Sequence, residues 1–148
     1  MTQPLTRRLV TEAAQTARLS ALEYDSGWRD ITGLIAEAAQ PESGTLLLQR
    51  LGSGIYVNFD VLVYESGANS IELGDGSALF PPGFRPSRSI DLPFPRRLSV
   101  VPAGGLRIDA SGRAWIYQVQ GGSTYPIRGL LSFPTLNPIP STRPGDPA

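Results

Sequence analysis

Two pairs of carboxylates are the only raw material for general acid–base chemistry in this sequence. Glu72 with Asp75, and Asp25 with Asp30, lie close enough along the chain to flank a sugar bond, as glycoside hydrolysis requires. Other chemistries lack their side chains. The chain has no histidine and no cysteine, and its 13 basic residues are all arginine. Without histidine the commonest general base and transition-metal ligand is missing. Without cysteine there is no thiolate zinc site, disulfide or sulfur nucleophile. Without lysine there is no Schiff base, Ser–Lys dyad or phosphate-loop lysine. The two acidic pairs themselves read better as turn and capping groups, since Asp75 precedes Gly76 and Asp-Gly makes turns. The "GSG" at 52–54 lacks the third glycine and following helix of a nucleotide loop and reads as a turn. No catalytic residue, metal or cofactor is expected, and the chain is expected not to be an enzyme.

Binding is the remaining class. Aromatic rings on exposed strand faces stack on sugars, and Tyr56, Tyr64 and Tyr117 are candidates. In "IYVNFDVLVY" the period is two. Ile55, Val57, Phe59, Val61 and Val63 face one way, and Tyr56, Asn58, Asp60 and Tyr64 face the other with Leu62 among them. That second face is the candidate contact for a receptor or a neighbouring subunit. On 113–119, Trp115, Tyr117 and Val119 share a face that reads as core, with a binding platform as the alternative, because three large side chains in a row bury well.

These residues need elements to position them. Residues 1–24 read as a helix, with Thr2 as N-cap and Pro4 in the first turn. Leu5, Leu9, Ala13 and Ala17 form an i+4 row, while a strict heptad from Leu5 meets polar Glu12, Thr16 and Glu23. The helix is therefore either a single amphipathic helix lying on a partner or a short trimeric coiled coil, with Leu5, Leu9, Ala13, Leu19 and Leu22 as its contact residues. Asp25, Ser26 and Gly27 end it, Trp28 and Ile31 plug the core, and "LIAEAAQ" makes one or two helical turns before Pro41. Strands follow in "TLLLQRL", "IYVNFDVLVY", "RRLSVVPAG", "GLRIDASGRAWIYQVQ" and "YPIRGLLSFPT", with a short one around 71–73 and "DASG" as hairpin punctuation. The predicted fold class is mainly β: an N-terminal helix or stem (1–24), then an antiparallel β-sandwich or jelly-roll-like domain (25–136). The tail at 137–148 is Pro-rich and has no periodicity, so a neighbouring subunit is expected to hold it.

Formal charge is zero, which leaves no electrostatic footprint for nucleic acid. No segment approaches the roughly 20 apolar residues of a membrane helix, and no secretion signal opens the chain, so a soluble protein without membrane insertion is expected.

The stretch "LFPPGFRPSR" at 79–88 spends three prolines, a glycine and two phenylalanines on one connection. Proline fixes φ and lowers the entropy of the unfolded chain, Gly83 permits a turn, and Phe80 and Phe84 can pin the connection to a core. Arg85 and Arg88 are candidates to pair with carboxylates or carbonyls of a neighbour. The stretch reads as a rigid crossover between two sheet segments.

In order, "DSGWRDIT", "GSGIYVNFDVLVY", "LFPPGFRPSRSIDLPF", "GGLRIDASGRAWIY" and "IRGLLSFPT" resemble the C-terminal β-domain of siphophage tail fibres and minor tail proteins, especially of actinobacteriophages. The resemblance spans about residues 25–134, and "PPGFRPSR" is its most specific element. It implies a trimeric β-sandwich at the tail tip of a virion assembled in the host cytoplasm. It also implies a surface shown to the bacterial envelope, whose glycan is a candidate partner. The N-terminal helix would be a stem or a dock onto other phage tail proteins. The alternatives are a structural or decorating tail subunit without receptor binding, and a carbohydrate-binding module or carboxylate-dependent glycosidase.

Overall fold

The computed structural model describes residues 5–95, 104–122 and 126–148, and their side chains except those of 5–10 and 20–22. Its elements are one helix and two antiparallel sheets, an arrangement consistent with a β-sandwich. The helix is α1 (Leu5–Glu23), and the strands in chain order are β1 (Arg29–Asp30), β2 (Ser43–Leu51), β3 (Gly54–Val63), β4 (Ala68–Glu72), β5 (Ile90–Pro93), β6 (Gly105–Ile108), β7 (Ala114–Val119), β8 (Ile127–Pro134) and β9 (Asp146–Pro147). The first sheet has the order β8-β3-β2-β1-β9 and the second β4-β7-β6-β5. Their inner faces meet in a single core, with Leu46, Leu48, Ile55, Val57 and Phe59 from the first sheet and Leu106, Ile108, Ala114 and Ile116 from the second. Ile31 is buried there too, whereas Trp28, expected as a second plug, is half-exposed. "LIAEAAQ" resolves into two single 3-10 turns, Thr32–Leu34 and Glu37–Ala39. The strand expected near 71–73 is the longer β4. The strand expected in "RRLSVVPAG" and the Thr2 cap with Pro4 lie outside the described residues.

Strict alternation fails in β3. The β2 register runs from Leu51↔Gly54 to Thr45↔Asp60 and then slips to Ser43↔Val63, while β8 slips between Phe59 and Leu62. The extra residue is a bulge at Val61, whose φ is 55°. Gly44 sits against it at φ 94°, and a Cβ on Gly44 would collide with the Val61 carbonyl. A one-residue slip exchanges the faces of a strand. Leu62 and Tyr64, read as outward, therefore turn into the core. The Tyr64 hydroxyl donates to the Ala39 carbonyl at 3.0 Å, which satisfies its one polar atom.

Burial pushes the Tyr64 phenol up to about 12. A raised tyrosine favours folding while it stays protonated, and that contribution is lost as pH climbs from the ordinary value of 10.0 to about 12. The melting temperature of the wild type is expected to fall more steeply across this window than that of Tyr64→Phe. At neutral pH the same substitution costs about 1 kcal/mol for the lost hydrogen bond, read by urea unfolding.

The tail finds its partners within its own chain. β9 pairs with β1, Arg29↔Pro147 and Asp30↔Asp146. Arg29 donates to the carbonyls of Pro144 at 2.9 Å and Gly145 at 2.6 Å. Arg50, only 3% exposed, donates to Gly52 at 2.8 Å, Gly83 at 2.5 Å, Pro138 at 3.0 Å and Asn137 at 3.0 Å. A guanidinium presents five donors in a rigid fork, so one side chain gathers four carbonyls from three segments. No neighbouring subunit is needed to hold residues 137–148.

The 79–88 stretch connects β4 to β5, the two edges of the second sheet. Phe80 and Phe84 are fully buried, and Phe80 meets Phe133 of the first sheet edge-on at 6.4 Å. Gly83, at φ 90°, is packed so closely on the tail that a Cβ would lie 2.8 Å from Pro140. Arg85 bonds within its own chain: its Nε donates to the Phe80 carbonyl at 2.7 Å, while its own carbonyl accepts from Thr135 at 2.6 Å and Asn137 at 2.9 Å. Arg88 is exposed.

Candidate functional site

β3 keeps three of the four residues of the expected contact face on its outer side and turns the fourth inward. Tyr56 and Asn58 are half-buried and Asp60 is exposed along one face, while Tyr64 lies in the core behind the bulge and is not part of it. The acidic pairs hold turns and neighbours. Asp25 accepts from the Gly27 amide at 2.7 Å and from Gln49 at 2.9 Å, and these bonds lower its pKa, Gln49 first. Asp30 accepts from the Thr32 amide at 2.9 Å. Glu72 accepts from the Gly76 amide at 3.0 Å and pairs with Arg113 at 2.6 Å, while Asp75 forms the turn at φ 46°.

The richer face is the outer side of the second sheet. In β7 the core residues are Ala114 and Ile116, not Trp115 and Tyr117, which stand half-exposed on the opposite face. Gln118 adopts φ 49°, which breaks the alternation and turns Val119 inward. The expectation that Trp115, Tyr117 and Val119 form one buried row therefore fails: the strand turns Ala114 and Ile116 inward instead, and the Gln118 angle parts Val119 from the two aromatics.

Pairing aligns the outward residues across all four strands. Glu72, Trp115, Arg107 and Asp91 stand in one row, and Ser70, Tyr117, Gly105 and Pro93 in the next. Charge alternates with aromatic along this face. Arg113 lies 5.0 Å from the Trp115 ring and Arg107 lies 5.6 Å from the Tyr117 ring, cation–π distances in both cases. Arg107 holds Asp91 through Nε at 3.0 Å and Nη2 at 3.2 Å, and the Tyr117 hydroxyl donates to Asp91 Oδ1 at 2.9 Å. The Arg107 bond, then the Tyr117 bond, keeps the Asp91 carboxyl below its usual value. Partial burial, then the bond to Asp91, raises the Tyr117 phenol, and the same carboxylate raises Arg107. Throughout neutral pH the trio is thus an arginine cation, an aspartate anion and a neutral phenol.

Beside it lies an open depression of about 520 Å³, lined by Asn69, Asp91, Leu92, Tyr117, Gln118 and the Gly104–Gly105 pair. Glycine is required there for the strands to pack: a Cβ on Gly105 would lie 2.7 Å from the Leu92 carbonyl, and one on Gly104 would strike the Tyr117 carbonyl. Sequence reasoning named Tyr117 as a candidate but missed Asn69, Asp91, Arg107 and Gln118. Alternation in "GLRI" does put Arg107 outward, but only strand pairing brings it to Asp91 and Tyr117.

Among the described residues no cluster of acidic side chains is arranged to hold a metal ion, and no helix is long and apolar enough to cross a membrane. In α1, residues 11–19 are all exposed, including Ala13 and Leu19; the side chains of Leu5, Leu9 and Leu22 lie outside those described. No protein-family model matches this chain, and no curated protein matches it.

Proposed function

We propose that this chain is a bacteriophage virion component, a minor tail protein or short tail fibre, whose β-sandwich recognises a surface without catalysing a reaction. The division of labour in the chain carries this reading. The two sheets and the tail satisfy one another through Arg29, Arg50 and the 79–88 crossover. The helix adds no described side chain to the core, and its Leu19 is 58% exposed. A self-sufficient β-domain behind a helix whose described side chains, 11–19, are all exposed suits a display module joined to its assembly through α1, either as a homotrimer or by docking on another tail protein. The ordered segments from "DSGWRDIT" to "IRGLLSFPT", which resemble tail-fibre domains, point the same way.

Light scattering of the purified full chain is expected to give about three times the chain mass. Antibodies to the chain are expected to decorate virion tails in electron micrographs. A monomer that keeps its helical circular dichroism ends the trimer, and unlabelled tails end the virion assignment. With Tyr64 in the core, the outer face of the second sheet is the richer candidate for recognition; a chain that enters virions but never labels host cells would be a structural or decorating subunit.

A further inference from the structure

We propose that the depression beside Asp91 and Tyr117 binds one unit of an uncharged sugar, an assignment that rests on reading the domain as a surface-recognition module. Size is the first argument. About 520 Å³ lies within the 300–1,000 Å³ common for small-molecule sites, and the Gly104–Gly105 floor lets a ring approach the backbone.

The lining chemistry is the second. A sugar presents hydroxyls, each both donor and acceptor, on an apolar ring. Asn69 and Gln118 offer amides that donate and accept, Tyr117 offers an aromatic ring, and Leu92 and Pro93 add apolar wall. Asp91 accepts three hydrogen bonds from Arg107 and Tyr117. Its two oxygens offer about four acceptor positions, so one remains for a ligand hydroxyl. Arg107 and Tyr117 lock that carboxylate in place, so little ordering entropy is spent on binding.

Charge is the third argument, and it selects the class. Arg107 cancels Asp91, and on the neighbouring row Arg113 cancels Glu72. A phosphate or uronate entering the depression meets Asp91, while the nearest cation among the described residues, Arg107, is already paired. An amino sugar gains no free anion. The face therefore suits neutral hydroxylated ligands and disfavours polyanions such as teichoic acids.

The full chain, labelled with ¹⁵N, is titrated with glucose, galactose, mannose, arabinose, rhamnose and N-acetylglucosamine, and with glucuronic acid, glucosamine and glycerol 3-phosphate as charged controls. At least one neutral sugar is expected to produce saturable shifts at Asn69, Leu92, Tyr117 and Gln118, with the charged controls about tenfold weaker or silent. Asn69→Ala, at an exposed position outside the core, is expected to weaken that binding about tenfold while the rest of the spectrum stays in place. Tyr56→Ala, on the other sheet, leaves it unchanged.

The proposal is overturned if no neutral sugar saturates, if a charged control binds as tightly, or if Asn69→Ala and Tyr117→Ala both bind like wild type. The two readings fail separately. Virions that carry the chain while no sugar binds leave the tail assignment standing without this site. Saturable sugar binding by a chain that virions lack does the reverse.

Discussion

Arg50→Ala is expected to lower stability by about 3 kcal/mol and to free the C-terminal tail while both sheets persist. The reason is geometric. Arg50 is 3% exposed, and its guanidinium bonds Gly52, Gly83, Asn137 and Pro138, joining the β2–β3 turn, the proline-rich crossover and the tail. Burial lowers its pKa by desolvation, yet arginine stays charged, so its cost of burial is met by those carbonyls and by the Tyr24 ring 5.9 Å away. Truncation leaves four acceptors without their donor. Arg50→Lys does not restore them, because one ammonium cannot span the fork. Proteinase K is expected to nick the Arg50→Ala chain within 137–148 and to spare the wild type, and urea unfolding measures the loss. An unchanged midpoint with an intact tail would show that β9 pairing and Arg29 suffice to hold residues 137–148.

Phe84→Ala is expected to cost about 3–5 kcal/mol, the usual range for a fully buried phenylalanine. Phe84 has no exposed surface, and its amide closes the proline turn by donating to the Pro81 carbonyl at 3.0 Å. The ring belongs to the shared core, while Gly83 beside it packs so closely on the tail that a Cβ would lie 2.8 Å from Pro140. The prolines keep the backbone from collapsing into the vacated space, which places the loss toward the upper end of the range. Phe84→Leu refills part of the volume and is expected to lose less than half as much. Thermal and urea unfolding of the three proteins give the comparison. A Phe84→Ala chain that melts with the wild type would mean that the crossover contributes no packing.

The residues that composition and period determined were those whose role is local. Absence of histidine, cysteine and lysine bounds the chemistry wherever the chain goes. Period-two runs located β2, β3, β7 and β8, and of the residues the pattern placed inward on β3, Ile55, Val57, Phe59 and Val63 are buried while Val61, at the bulge, is not. "DASG" made its hairpin because the Asp109 side chain accepts from the Ser111 amide at 2.9 Å and the Arg113 amide at 3.1 Å, all within five residues. "PPGFRPSR" was legible as a pinned crossover because two phenylalanines among prolines have few other uses.

Tertiary structure alone decided what depends on a partner far along the chain or on one backbone angle. The left-handed residues Val61 and Gln118 each reverse the strand's facing, and neither is glycine or asparagine, so no residue type marked them. One reversal took Tyr64 from the surface to the core; the other ended the outward row after Tyr117. Arg50 reads as a solvated strand arginine until carbonyls 87 and 88 residues away arrive to receive it. The same long-range contacts turned an aperiodic tail into an ordered strap. The candidate site is of this kind: Asp91, Arg107 and Tyr117 occur on three different strands, and only antiparallel pairing across the second sheet brings a carboxylate, a guanidinium and a phenol within hydrogen-bonding distance.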